Sequence, residues 1–360
     1  MNSRRGRILA LALTIALSLL TNAPVPAQSL GGSGQRIEGT YKILPIPYLN
    51  YDRSTGAQFG GIPMVMFNPV AADTLSPSSL AGLMGMYSTK KSWYLVGFGR
   101  IHLDQDNWRI MAAGGHGSVN FQFFVDGPID GWIPYNTEMD FAVLQVQRRI
   151  VNHLYGGLSY IHLDFGTTVE RVDAEFETVL DGLGLSLAMD RRSSIFYPRA
   201  GHEAKLRYFG YPEAFGNDVN SDKIQLEVNH YLGLRDDTDV LASRLFAGTG
   251  LGDLSFNQQF IVGRRMDLRG YTQGEYRGNA MVAVQTEYRW NLRPRFGLVG
   301  FAGVATVFDG INAEDDGKLL PAVGGGFRYT VDRETHLNVG MDAAAGDGDW
   351  GVYFRIGEAF

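Results

Sequence analysis

The 360-residue chain has no cysteine. That absence excludes a disulfide framework, a thiolate zinc site, a catalytic thiol and a lipid-carrying N-terminal cysteine. Charge is sparse as well, at 19 % of residues, and acids outnumber bases for a net charge of -6, so no nucleic-acid partner is expected. Long hydrophobic runs are also missing, except at the start. There Arg4, Arg5 and Arg7 precede an apolar or weakly polar run from Ile8 to Leu20, and Ala23-Pro24-Val25-Pro26-Ala27 offers small residues suited to cleavage after Ala27. This layout predicts a secretory signal peptide over residues 1–27, too short to cross a bilayer as a helix. No other stretch approaches the roughly 18 consecutive apolar residues of a membrane helix. An exported chain of this kind is periplasmic, secreted or a barrel, because only helices and closed barrels satisfy backbone polar groups in lipid.

The rest of the sequence alternates with period two. Ile224, Leu226, Val228 and Leu232 share one face, opposed by Gln225, Glu227, Asn229 and Tyr231. Val282, Val284, Tyr288 and Trp290 likewise oppose Gln285, Glu287 and Arg289. Such segments are strands with one apolar and one polar face. A soluble sandwich alternates in the same way, but these strands are long against the usual five or six residues and suit a tilted membrane wall. Aromatic residues recur at strand ends (Trp93, Tyr94, Tyr155, Trp290, Tyr353), as an interfacial girdle requires. The mean hydropathy of -0.10 is no argument for solubility, since lipid-facing and lumen-facing positions average out.

The expected fold is all-β, a sixteen-stranded antiparallel transmembrane β-barrel. Strands are predicted near 41–51, 57–67, 79–89, 92–103, 106–117, 138–150, 154–165 and 177–189. The remainder fall near 201–211, 222–234, 238–250, 280–291, 296–308, 320–331, 334–344 and 349–360. The domain reading is a signal peptide (1–27), a short periplasmic lead (28–40) and the barrel (41–360). Short turns fall on the periplasmic side and long loops, 118–137 and 251–279, on the outer side, the bacterial habit. The connection 68–78 is long for a periplasmic turn.

Three segments together resemble the bacterial surface antigen family, whose barrel is shared by BamA-type and TamA-type outer-membrane assembly factors. Asp190-Arg191-Arg192-Ser193-Ser194-Ile195-Phe196-Tyr197-Pro198-Arg199-Ala200-Gly201 is like the family's turn ending in Phe-Tyr-Pro-x-x-Gly. Leu268-Arg269-Gly270-Tyr271 is like the Val-Arg-Gly-Phe/Tyr motif of the long loop folded back into the lumen, and Glu287-Tyr288-Arg289 follows in a family-like strand. Gly351-Val352-Tyr353-Phe354-Arg355-Ile356-Gly357-Glu358-Ala359-Phe360 is similar to the closing strand. The resemblance implies that Arg269 locks loop 251–279 onto an inward carboxylate, with Glu287 and Asp342 as candidates. A planar guanidinium suits such a task, because it can form paired charge-assisted hydrogen bonds. Two departures stand out. Phe301-Ala302-Gly303 places Gly303 where the family's strand has aspartate, and the lead of residues 28–40 is too short for the family's polypeptide-transport-associated (POTRA) domains, which are therefore expected to be lacking.

Pro45 and Pro47, two apart in the first strand, remove N–H donors from one edge. Either that edge faces Phe354, Ile356 and Phe360 of the last strand across a weak lateral seam, or the strand starts only after Pro47. Ile101-His102-Leu103-Asp104 recurs as Ile161-His162-Leu163-Asp164, with both copies expected to point inward at opposite ends of the barrel, too far apart for a shared metal. His116-Gly117-Ser118 loosely resembles the His-x-Ser of outer-membrane phospholipases but has no evident third member. No enzyme, cofactor or metal is expected. The resemblance implies a bacterial outer-membrane protein that helps insert or translocate polypeptides or lipids through the seam. Its partners would be outer-membrane lipid, unfolded outer-membrane proteins or a separate periplasmic chain. The alternative is a passive channel or structural barrel without assembly activity.

Overall fold

The structure, a computed structural model, describes residues 36–37, 39–52, 55–125, 131–169, 174–194, 197–252, 254–255, 258–264, 266–310, 312–333 and 336–360. The expected signal peptide and most of the lead lie outside these residues.

Alternating sequence becomes alternating wall. The strands are β1 (Tyr41–Asp52), β2 (Gly56–Phe67), β3 (Ser79–Ser88), β4 (Trp93–Leu103), β5 (Trp108–Val125) and β6 (Gly131–Val151). Next come β7 (Leu154–Val169), β8 (Ala174–Asp190), β9 (Gly201–Tyr211), β10 (Ser221–Leu234) and β11 (Asp239–Gly252). A two-residue strand, β12 (Phe260–Ile261), precedes β13 (Arg277–Arg293), β14 (Phe296–Gly310), β15 (Leu320–Asp332), β16 (Leu337–Ala345) and β17 (Trp350–Ile356). Apart from β12, each strand pairs antiparallel with its sequence neighbour, giving sixteen staves in a nearly closed up-and-down barrel.

The outer face is apolar. Ile43, Leu95, Leu144, Leu158, Leu185, Leu298, Val323 and Phe327 are all exposed, with Tyr41, Trp93, Trp108, Tyr288, Trp290 and Trp350 near strand ends. No described helix is long and apolar enough to cross a membrane. Inside, the lumen has two characters. From β1 to β8 it is packed with Tyr48, Met64, Met84, Phe98, Phe141 and Leu163 among others. From β8 to β17 it is lined by buried charge, including Arg192, Glu203, Arg244, Glu287, Arg328 and Asp342.

Four expectations need correction. Most of 118–137 is wall, not loop: β5 and β6 remain in register from Trp108↔Arg148 to Val125↔Gly131. The reason is continued alternation, since Val119, Phe121, Ile133, Tyr135 and Thr137 all bury inward. Loop 251–279 is not free of strand, because β12 pairs there with the start of β13. The closing strand stops at Ile356, and the last residues turn into the lumen, where Ala359 and Phe360 pack with Tyr197 and Tyr231. Finally, the second His-Asp copy faces outward. Leu163 and Phe165 are fully buried, so His162 and Asp164 must occupy the opposite face.

Because the chain lacks cysteine, this alternation can be read directly with single substitutions. In outer-membrane-embedded protein, Asp164→Cys should react with a membrane-impermeant maleimide and Phe165→Cys should not. Labelling of the second alone would reverse the assigned faces.

Candidate functional site: a lumen loop clamped by Arg269

After β11 the chain leaves the wall and enters the lumen. Its short strand β12 ties it to β13, and a turn follows in which the amides of Asp267 and Leu268 donate to the carbonyl of Arg264 at 3.1 and 3.0 Å. That turn presents Leu268, Arg269, Gly270 and Tyr271, all buried.

Arg269 is 0 % exposed. Its Nη1 donates to Asp342 Oδ2 at 2.6 Å and its Nε to Gln285 Oε1 at 3.2 Å. Its Nη2 lies 2.8 Å from Glu287 Oε2, an ion contact off the hydrogen-bond axis. The guanidinium carbon sits 3.3 Å from the centroid of Phe301. One planar cation therefore joins β13, β14 and β16 to the loop, using the edge for carboxylates and the face for an aromatic ring. Both carboxylates are shared. Asp342 also accepts from Arg328 at 2.6 Å and Arg355 at 2.8 Å, and Glu287 accepts from Arg289 at 2.9 Å. With each carboxylate serving more than one guanidinium, the charges are buried but compensated.

The neighbouring residues complete the clamp. Gly270 has φ 110°, and a Cβ there would stand 2.9 Å from the backbone of Ala345, so only glycine brings the loop this close. Its amide donates to the Tyr353 hydroxyl at 2.9 Å. The Tyr271 hydroxyl donates to the carbonyl of Pro321 at 2.6 Å and accepts from the amide of Asp347 at 3.0 Å. Gly303 explains the missing aspartate: a Cβ there would meet Leu268 at 2.8 Å, so a leucine side chain fills the space. On the other flank, Arg244 donates to Asp267 at 2.8 Å and lies 3.3 Å from Glu227.

Sequence reasoning named Arg269, Glu287 and Asp342 but missed Gln285, Phe301, Arg328, Tyr353 and Arg355. The last three share the inward parity of Asp342 on their strands, which was a usable signal. Phe360 belongs to this network and not to the first–last edge, since its carbonyl accepts from Arg289 Nη2 at 2.9 Å.

Pro45 and Pro47 lie on β1, which is strand along its whole length, so pairing starts before Pro47. Pro45 stands opposite Pro63 of β2. Two imino nitrogens cannot make a hydrogen-bonded pair, so odd positions of β1 direct their backbone groups away from β2 and toward β17. On the facing edge, the Gly357 amide bonds Asn338 and the Gly346 amide bonds Asp349, which commits odd positions to β16. Trp350, Val352, Phe354 and Ile356 therefore turn their backbone toward β1. Among the described residues, β1 forms a ladder with β2 and β17 with β16, and the two edges run side by side without a ladder of their own.

The long connection 68–78 is tied to the turn between β4 and β5. Asp73 accepts from the Ser76 hydroxyl at 2.6 Å and from the amides of Ser76, Gln105 and Leu75 at 2.9, 2.9 and 3.2 Å. The Ser76 hydroxyl in turn accepts from the amide of Asp106, whose carboxylate is held bidentately by Arg109. Burial pushes the Asp73 carboxyl up, but the Ser76 hydroxyl and the three amides outweigh it and hold it down at about 2.

The other motifs do not converge. His102 is buried, whereas Asp104 sits in the turn before β5 with φ 55°. His162 pairs with Asp181 at 2.9 Å and His116 with Asp140 at 3.0 Å. Ser118 is engaged by Asn136 at 3.0 Å, and no hydrogen bond joins it to His116 among the described residues.

An apolar outer belt around a lumen held by a clamped outer loop defines a transmembrane β-barrel with an internal plug. The chain belongs to the Omp85 superfamily, whose domain matches residues 114–360. It is similar in fold to BamA from Haemophilus ducreyi lacking POTRA domains 1–3, with a TM-score of 0.60 and 14 % identity over 88 % of this chain and 70 % of that one. CdiB from Escherichia coli superposes with a TM-score of 0.65 and 12 % identity over 89 % and 67 %. CdiB from Acinetobacter baumannii gives 0.60 and 15 % over 89 % and 60 %. The chain thus spans between 60 % and 70 % of those proteins' lengths. No curated protein matches significantly.

Two outcomes are expected. Arg269→Ala should lower barrel stability by about 3 kcal/mol, because it strands buried carboxylates, and should raise or destabilise single-channel conductance; an unchanged trace and melting profile would remove the clamp. Asp73→Ala should be less stable than the native protein near neutral pH. The aspartate's folded value is depressed, so its contribution is present above the ordinary carboxylate range and lost as pH falls toward about 2. Melting curves of the two proteins should therefore converge at acid pH, and a gap that persists there would contradict the hydrogen-bonded tie.

Proposed function

We propose that this barrel helps insert or translocate polypeptides at the bacterial outer membrane, by lateral parting of β1 from β17. The observation that supports this most is the edge itself. Among the described residues the two strands lie side by side without a ladder, and Pro45 and Pro47 remove donors from the side that faces the partner. An incoming strand would pair with the edges that parting uncovers, by strand addition. Membership of the Omp85 superfamily supports a general assembly or translocation role. The clamp supports it in a second way, since Arg269 holds together β13, β14 and β16 on the C-terminal side of the seam, so that side could act as a rigid jamb.

The reading is non-enzymatic and takes residues 1–27 as the export signal. It assigns surrounding lipid and unfolded outer-membrane proteins as partners, with a separate periplasmic chain delivering them.

The test is reconstitution into liposomes with an unfolded barrel substrate. The native protein should accelerate substrate folding, and Pro45→Val/Pro47→Val, which restores two donors at the edge, should reduce that acceleration several-fold. A native protein without effect on folding would favour the passive channel. A variant as active as the native protein would contradict the role of the prolines.

A further inference from the structure

The clamp accounts for the carboxylates of the lumen but not for all of its cations. Several basic side chains form a file along the inner wall. Arg100 points in from the periplasmic end of β4, and it feels the charges of Arg192 and Glu203 across the lumen. Lys205 and Arg207 continue the file up the inner face of β9, and Arg264 of the loop and Lys223 near the outer end of β10 lie within electrostatic reach of Arg207.

Part of this file is paired. Arg192 contacts Asp190 at 3.1 Å and Glu203 at 2.8 Å, Lys205 contacts Glu203 at 2.9 Å, and Arg207 contacts Glu227. Three members form no direct ion pair with a carboxylate among the described residues. Arg100 is only 8 % exposed, and its side chain makes neither hydrogen bond nor ion pair among the described residues, its Nε being shielded. The Arg264 side chain makes none either among the described residues, and its Nε is shielded in the same way. Lys223 is 3 % exposed, donates to the backbone oxygen of Gln258 at 2.5 Å and sits 4.4 Å from the ring centroid of Phe260. A shielded cation without a directly paired carboxylate is costly, so the wall carries positive charge that an anion would neutralise. This surplus is set inside a chain whose overall charge is -6, so it reflects placement and not composition. Arg100 itself stands beside the apolar part of the lumen, two residues from Phe98 on the same face of β4. Low-dielectric walls of that kind focus the field of the cations into the path between them.

We infer that the lumen carries an anion-selective path, in which Arg100, Arg264 and Lys223 are the selecting charges and small oxyanions such as phosphate are preferred occupants. Rings and files of Arg and Lys select anions in other pores by the same physics. This function is independent of the seam, because it uses the lumen and needs no substrate strand.

The experiment is a planar-bilayer recording under a potassium chloride gradient. The native protein should show a reversal potential of the sign for chloride preference, and millimolar inorganic phosphate should reduce the chloride current. In Arg100→Gln/Arg264→Gln/Lys223→Gln the anion-to-cation permeability ratio should fall about tenfold, the scale on which lined charge enriches counter-ions, and the phosphate effect should weaken. Heat-modifiable migration on gels verifies that the variant barrel is folded. Cation preference or no current in the native protein would overturn the inference, and so would an unchanged ratio in the folded variant. The sign of the native reversal potential decides the matter even if the triple variant does not fold.

Discussion

A guanidinium withdrawn from water must find its charge and its hydrogen bonds inside the protein, and the C-terminal half of this barrel is arranged around that requirement. Arg269 satisfies it with Asp342, Glu287, Gln285 and the face of Phe301. Each carboxylate then needs further cations, which Arg328, Arg355 and Arg289 supply from β15, β17 and β13. The network ends at the chain terminus, where Glu358 accepts from Arg328 at 3.0 Å and the Phe360 carbonyl accepts from Arg289. Removing one member leaves others stranded, so the loop, five strands and the tail are energetically one unit.

The remaining half of the lumen is built on a different principle. Methionines and aromatics fill much of it, and connection 68–78 is tied to the β4–β5 turn through Asp73, Ser76 and Asp106. Apart from the Arg100, His102, Asp106 and Arg109 group, this half packs mainly through apolar side chains, whereas the charged half is fixed by directional bonds. The boundary between the two halves includes the β1–β17 edge, where a stave with two missing donors meets a stave tied into the arginine network. This contrast gives a physical reason for parting to occur there and not between two charged staves.

Much of the architecture was legible from period two alone, because an inward or outward side chain is decided by parity. The strands near 201–211 and 296–308 were read closely for that reason. Parity failed where it was not followed far enough: Phe121 and Ile133 continue the pattern beyond the expected ends of β5 and β6, and a loop was expected in their place. It also failed at Ile161-His162-Leu163-Asp164, where the likeness to Ile101–Asp104 outweighed the burial of Leu163 and Phe165. The clamp was legible only in part. Arg269 and Asp342 are 73 residues apart, and which inward charges meet depends on barrel shear and loop path, neither of which local sequence encodes. Gly303 read as a lost contact; the space it leaves for Leu268 became visible only with the loop in place.

The central claim is that Arg269 and Asp342 act as a coupled pair that holds the loop to the wall. A double-mutant cycle over Arg269→Ala and Asp342→Asn, read from denaturant unfolding of the barrel in lipid, measures that coupling directly. The account predicts an interaction energy of at least about 1 kcal/mol, with the double variant less damaged than the sum of the single ones. Strictly additive losses would contradict it.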